Sequence, residues 1–193
     1  MTSIVADGSL DKPSACADPG NLISAKETQM ASTAHSSNLP AFESPHERSE
    51  VGNQLQATLV DLIDLSLLGK QLHWNVTGTN FRSLHLQLDE LVDSWRELSD
   101  TVAERAVAVG FWPDGQSNAI ASHTQIAPVE QGELADHVVV RELTHRLAQV
   151  AERARERMDR LDELDAASQD VLVEVVRALE EQLWMVRVQT PGD

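Results

Sequence analysis

The stretch from Phe81 to Gly110 constrains this chain more than any other, because two chemical patterns are superimposed on it. Phe81, Leu84, Leu88, Leu91, Trp95, Leu98, Val102 and Val109 recur at the steps expected of a helix with one apolar side. Set among them are His85, Asp89, Asp100 and Glu104, paired at i,i+4 and all of metal-ligand type. At about 100° per residue these four project at roughly 0°, 40°, 60° and 100°, so they share one helical face.

Along the axis of a continuous helix, Asp89 and Asp100 stand about 16 Å apart, whereas a ligand oxygen sits about 2 Å from a first-row metal. One copy of the helix cannot bring both pairs to the same ion. A second copy, packed antiparallel across a twofold axis near Ser94 and Trp95, sets His85 and Asp89 of one chain opposite Asp100 and Glu104 of its partner. Twofold homodimers are the commonest oligomers, and this arrangement predicts an intersubunit metal site that occurs twice per dimer.

Around this segment the pattern is that of an all-α protein. Residues 1–48 mix Ser, Ala, Pro, Gly and Asn without an apolar period and read as a flexible extension. Leu55, Leu59, Leu62, Ile63 and Leu72 mark a first helix from about Glu50 to Val76. Thr77-Gly78-Thr79-Asn80 forms a stop and a new start before the second helix. Phe111-Trp112-Pro113-Asp114-Gly115 then opens a long connection that holds a short helix around Ser117 to Ser122. The third helix spans about Gln131 to Leu161, with Leu134, Val138, Leu143, Leu147, Val150 and Met158 inward, and the fourth about Ser168 to Val188. A four-helix bundle over residues 49–188 follows, with a crossover in the long connection and a short tail at 189–193.

A formal net charge of −16 argues against simple electrostatic attraction to phosphates or anionic lipid and favours cations. The extension is acidic too: Lys12, Lys26 and Arg48 are outnumbered by Asp7, Asp11, Asp18, Glu27, Glu43 and Glu47. Cys16 is the only cysteine, which excludes an intrachain disulfide framework and a C-x-x-C metal or redox site and suits a reducing cytoplasm. No apolar run approaches the roughly 20 residues of a membrane span, and no secretory leader is visible.

Lys70-Gln-Leu-His73-Trp74-Asn75-Val-Thr-Gly78, followed by Phe81-Arg-Ser-Leu84-His85-Leu-Gln-Leu88-Asp89-Glu90 and Asp100-Thr-Val-Ala-Glu104-Arg105, resembles the Dps family, the DNA-binding proteins from starved cells, which are miniferritins with a ferritin-like four-helix bundle. The resemblance implies a ferroxidase centre for two irons (Fe2+/Fe3+) at a dimer interface. His73, His85 and Asp89 come from one subunit, Asp100 and Glu104 from its twofold mate, and Trp74 lies beside them. It also implies a hollow dodecamer that oxidises Fe(II), preferentially with hydrogen peroxide, and stores the ferric product. The dimer follows from helix geometry; the dodecamer follows from the resemblance alone. Carboxylates and neutral imidazoles suit ferrous iron, without the thiolates that favour zinc or iron–sulfur clusters.

Other groups carry two readings each. His35, His46 and Glu50 fit an accessory metal site, as in long-tailed members of the family, or a plain polar segment. Glu90, Asp93 and Glu97 fit a cavity face on which ferric mineral nucleates, or a solvated acidic face. Asp165, Asp170 and Glu174 fall where relatives line threefold pores with carboxylates. Glu142-Leu-Thr-His145 has the E-x-x-H spacing of carboxylate-bridged di-iron bundles but has no second helical copy, so His145 reads as a surface residue. Arg153, Arg155, Arg157 and Arg160, interleaved with acids, read as i,i+4 ion pairs. Two functions compete: an iron-storing ferroxidase, and a nucleoid-associated DNA-compacting protein. DNA compaction by relatives uses cationic tails; this chain has an acidic extension and ends Thr190-Pro191-Gly192-Asp193, so direct DNA binding is expected to be weak or absent.

Overall fold

The computed structural model describes residues 38–189; Cys16 and His35 lie outside them. Five helices and two very short strands follow in order: α1 (Pro45–Asn75), β1 (Val76–Thr77), α2 (Phe81–Ala108), α3 (Ser117–His123), β2 (Leu134–Ala135), α4 (Asp136–Leu161) and α5 (Ala166–Arg187). α1 packs along α2 and α4 along α5, and contacts of α1 with α4 and of α2 with α5 join the two pairs into a bundle.

α1 starts earlier than its apolar stripe implies. The Ser44 side chain accepts a hydrogen bond from the Glu47 amide at 3.2 Å, Pro45 occupies the first turn, and the Glu47 carboxylate accepts from the Glu43 amide at 3.0 Å. A proline in the first turn suits a helix start, since its missing N–H has no intrahelical partner to lose. Ser44-Pro45 therefore begins the helix rather than belonging to the extension. Phe42 packs on the core beneath the Arg48 guanidinium, 5.3 Å from the ring centroid.

The strands pair in parallel, Val76 with Leu134 and Thr77 with Ala135. This pairing sets the topology, because β1 follows the end of α1 and β2 precedes the start of α4. Both helix termini, together with the start of α2, lie at one end of the bundle. Residues 109–133 must then run back along its length, and α3 lies in that crossover. The expected start of the third helix near Gln131 is thus displaced to Asp136: Gly132 has φ 129°, and Leu134 is in a strand. Gly78, at φ 118°, makes the turn between β1 and α2. The Asp136 carboxylate locks that turn to α4, accepting from the Asn80 amide at 2.9 Å and the His137 amide at 2.8 Å.

Leu55, Leu62, Leu72, Leu84, Leu88, Leu143, Leu147, Leu172, Leu179 and Val186 are all fully buried. Each such side chain stabilises the fold by about 1.5–3 kcal/mol relative to exposure. Trp95 is also fully buried and donates from its indole N–H to Gln182 Oε1 at 2.7 Å, while Gln182 Nε2 donates to Ser94 Oγ at 3.0 Å. Ser94 and Trp95 therefore turn their side chains toward α5. Val138 is half-buried, and Val139 and Val140 take the inward positions of α4.

Candidate metal centre

The end of α1 and the start of α2 meet across the Gly78 turn, which brings residues far apart in register into contact. His73 lies in the last turn of α1 and is buried; His85 is in the second turn of α2. Their rings stack with centroids 3.6 Å apart and planes 21° from parallel. His73 Nδ1 lies 2.9 Å from the His85 carbonyl oxygen, and His85 Nδ1 lies 3.0 Å from that of His73. A carbonyl oxygen only accepts, so each Nδ1 carries the proton and each Nε2 keeps its lone pair. Reciprocal bonding thus assigns the tautomer that a metal-binding imidazole needs.

Asp89, one turn beyond His85, completes the cluster: one ligand atom from each of His73, His85 and Asp89 lies within 4.8 Å of the other two. Among the described residues no other group of His, Cys, Asp and Glu meets this condition. Lys70, one turn before His73 and Trp74, extends its ammonium to 2.6 Å from Asp89 Oδ1. That hydrogen bond is the largest cause holding the Asp89 carboxyl below the usual carboxylate range; it outweighs the opposing effect of burial, and the Lys70 charge adds to it. Two imidazole nitrogens and a carboxylate fit a first-row divalent cation such as Fe(II), and lack the thiolate that would favour softer metals. Lys70 supplies the positive charge beside Asp89 that an arriving cation must displace.

The remaining expected ligands lie elsewhere. α2 is one uninterrupted helix, and Asp100 and Glu104 are exposed on its later half, outside the cluster. Asp100 lines a shallow depression with Leu59, Ile63, Ala103 and Arg96, formed by α1, α2 and the connector. Trp74 is 68 % exposed, its ring centroid 6.0 Å from Lys70 Nζ. Glu90, Asp93 and Glu97 are exposed along α2, and Asp93 makes only a 3.9 Å contact with Arg96.

The other candidate groups are distributed over the bundle. Asp165 caps α5, accepting from the Ser168 amide and hydroxyl, and pairs with Arg105 at 2.6 Å. Asp170 and Glu174 stay exposed beside Arg177, Glu180 and Glu181. Glu50 accepts from Gln54 at 2.6 Å and His46 is exposed, while His35 lies outside the described residues. Glu142 pairs with Arg146 at 2.7 Å, leaving His145 exposed. Of the arginine run, only Arg160 makes an i,i+4 contact, at 4.0 Å to Glu156. Arg155 reaches across to Glu180, and Arg153 and Arg157 both reach Asp61 on α1. Sequence reasoning passed over Asp61 and assigned Lys70 no role. The available signal for Asp61 was a carboxylate between Leu59, Val60 and Leu62, where a solvated acid is out of place.

Among the described residues no helix is long and apolar enough to cross a membrane. Residues 52–190 match the family model described as a ferritin-like domain. The chain is 32% identical over 142 residues to DNA protection during starvation protein 2 of Deinococcus radiodurans, covering 72% of this chain and 59% of that relative's length. It is 34% identical over 146 residues to the DNA protection during starvation protein of Mycolicibacterium smegmatis, covering 75% and 79% of the two chains. The structure of Mycobacterium smegmatis Dps in its tetragonal form superposes with a TM-score of 0.76 at 31% identity, over 80% of this chain and 93% of that one. With the bundle, the crossover helix and the histidine–aspartate cluster in place, these matches show that the chain belongs to the Dps family of ferritin-like proteins.

Proposed function

We propose that this protein is a miniferritin that oxidises Fe(II), preferentially with hydrogen peroxide, stores the ferric product in a hollow dodecamer and so protects a starved cell. One observation carries this reading. His85 and Asp89 at one end of a continuous α2 converge with His73 of α1, while Asp100 sits about 16 Å beyond Asp89 along the same axis and Glu104 one turn further. Each chain thus carries two partial donor sets, and an antiparallel second copy of α2 joins them into two shared centres. The apolar lining of the depression around Asp100, with Leu59, Ile63 and Ala103, and the 57 % exposed Leu67 nearby on α1 support a second copy seated on this face.

Fe(II) enters as substrate. The proposed ligands place two ferrous ions side by side, and each gives one electron to hydrogen peroxide. The O–O bond breaks, and two protons are taken up to form two waters, so no hydroxyl radical leaves the site. Carboxylates favour the harder ferric product over the ferrous ion, which lowers the cost of oxidation. Exposed Trp74 stands where it can be oxidised in place of other targets if a single electron is missing. Exposed Glu90, Asp93 and Glu97 on α2 serve as first sites for ferric mineral, and Asp170 and Glu174 as acids on the entry route. The single cysteine of the chain suits action in the cytoplasm.

The test is anaerobic Fe(II) titration followed by peroxide addition, with assembly checked by light scattering. Asp89→Ala and Glu104→Ala should each abolish rapid oxidation while the oligomer persists. Wild-type rates in both variants would refute the assignment. Anomalous scattering at the iron edge should locate metal between twofold-related α2 helices.

A further inference from the structure

Away from the proposed iron centre, α4 brings two arginines against one aspartate. Asp61 on α1 is 2 % exposed. Arg153 grips it with Nε at 3.0 Å and Nη2 at 2.8 Å, and Arg157 adds Nη1 at 2.7 Å. Neither arginine meets a second carboxylate within ion-pair distance among the described residues. The cluster therefore holds one negative and two positive charges, and since no buried side-chain nitrogen or oxygen of the described residues lacks a partner, the surplus cation keeps its unpaired edge open to solvent. In a chain of net charge −16, such a local excess is out of keeping with its surroundings.

The surplus has an outlet. Arg157 is more than nine-tenths buried, and it lines a cavity of about 490 Å³ between α1, α3 and the connector that joins α2 to α3. Its Nε and Nη2 have no acceptor among the described residues, so a guanidinium edge is unengaged. The opposite walls are apolar and aromatic: Phe111, Trp112, Ala119 and Val60. Trp112 is 76 % exposed, an unusual position for an indole unless something stacks on it. The cavity does not depend on closure by a ligand. Gln56 holds the connector to α1 through reciprocal hydrogen bonds with Asp114, each 2.8 Å, from Gln56 Nε2 to the Asp114 carbonyl and from the Asp114 amide to Gln56 Oε1. The Asp114 carboxylate sits at the rim, exposed and engaged by the Gln116 amide at 2.9 Å, where water screens it. His123 is tied by its Nδ1 to the Ala119 carbonyl oxygen at 2.8 Å.

We propose that this cavity binds a small aromatic carboxylate, its carboxylate on the free edge of Arg157 and its ring against Trp112 and Phe111. A guanidinium edge matches a carboxylate in two parallel hydrogen bonds. One surplus positive charge calls for a monoanion, and the aromatic walls call for a flat apolar body, which inorganic phosphate lacks. A cavity of this size falls in the range of pockets that enclose small organic ligands.

The test uses the full chain and benzoate, with benzamide, benzylamine and inorganic phosphate as comparison ligands, followed by titration calorimetry. Benzoate should bind saturably at one site per chain, and the other three at least about tenfold more weakly. Arg157→Gln, which leaves Asp61 paired to Arg153, and Trp112→Ala, which removes an exposed ring, should each weaken benzoate by about tenfold or more. Circular dichroism and the melting temperature report whether each variant is folded, and Trp112→Ala should match the wild type. The idea fails if benzoate does not saturate at millimolar concentrations, if benzamide or phosphate binds as well, or if folded Trp112→Ala retains full affinity.

Discussion

His73 and His85 each place Nδ1 within 3.0 Å of the other's carbonyl oxygen while their rings stack at 3.6 Å. This reciprocal arrangement closes the end of α1 onto the start of α2 and leaves both Nε2 atoms as acceptors. Replacing His85 with Ala removes one donor nitrogen and the partner that orients the other. Loss of an orienting partner alone weakens a metal by about 10–100-fold, so His85→Ala should weaken anaerobic Fe(II) or Co(II) binding by at least that much. Unchanged affinity by competitive chelator titration would remove His85 from the site.

Lys70 and a cation compete for the same Asp89 oxygen. Lys70→Met should therefore tighten Co(II) binding and raise the Asp89 pKa toward the ordinary carboxylate value, because the Lys70 hydrogen bond is the largest cause of its depression. A depressed folded-state pKa gives stability that is present above the unfolded value and lost as pH falls through the folded one. Wild type and Lys70→Met should then differ in melting temperature near neutrality and converge in acid. Carbonyl-carbon NMR titration of Asp89 checks the shift directly, and an unmoved titration curve in the variant would contradict it.

Asp165 joins two helices: it caps α5 through Ser168 and pairs with Arg105 on α2. Burial alone would push its carboxyl up, but hydrogen bonds from Ser168 and Arg105, with the charge of Arg105, outweigh this and hold it low. Asp165→Ala should cost at least about 1 kcal/mol, the usual loss of an N-cap. The sign of the linkage matches that of Asp89: the contribution is full above the unfolded carboxyl pKa and fades as acid protonates the folded form. Urea denaturation of both proteins at several pH values should show the gap narrowing toward low pH.

Gly69 lets α1 and α2 approach one turn before the candidate centre. A Cβ built there would lie 2.6 Å from Val92 Cγ2 and 2.7 Å from Trp95 Cζ3. Ala gains about 1 kcal/mol of helix propensity over Gly, but overpacking a rigid core costs about 1–3 kcal/mol, and the indole has little room to yield. Gly69→Ala should be net destabilising, and Val92→Ala in the same chain should recover part of the loss. A Gly69→Ala protein more stable than wild type would show that the helices can separate at no cost.

Direct DNA binding should be weak at physiological salt, because phosphate neutralisation requires clustered Lys and Arg and the whole chain carries a net charge of −16. Gel shifts with a linear duplex at about 150 mM salt should show no tight complex. A tight, steeply salt-dependent shift would restore the nucleoid-compacting reading.

The four long helices and the donor face of α2 were legible from apolar spacing, since a helix repeats its neighbours locally and a stripe of Leu84, Leu88, Leu91 and Leu98 has only one simple way to be buried. His73 was found by resemblance, and its stacking partner and tautomer were not visible, because they depend on a turn that brings two helix ends together. α1 starts earlier than expected for a local reason: Pro45 falls within the proline-containing extension by composition, but after Ser44 it opens a helix. Asp165 was singled out only by resemblance to pore-lining carboxylates, and its tie to Arg105 was not visible, because Arg105 reaches it from another helix.

Periodicity, charge and ligand spacing are properties of the chain taken in order, so they were enough to establish an all-α bundle, an acidic protein and a donor stripe too long for a single metal ion. Which carboxylates are held by arginine, which histidine nitrogen is free, and where two arginines share one carboxylate are properties of contacts between distant segments. Asp61 with Arg153 and Arg157, and Lys70 with Asp89, exist only once the crossover and the Gly78 turn have set the helices side by side. Nothing in linear order specifies such pairings, because their energies depend on burial and on the distances that packing imposes.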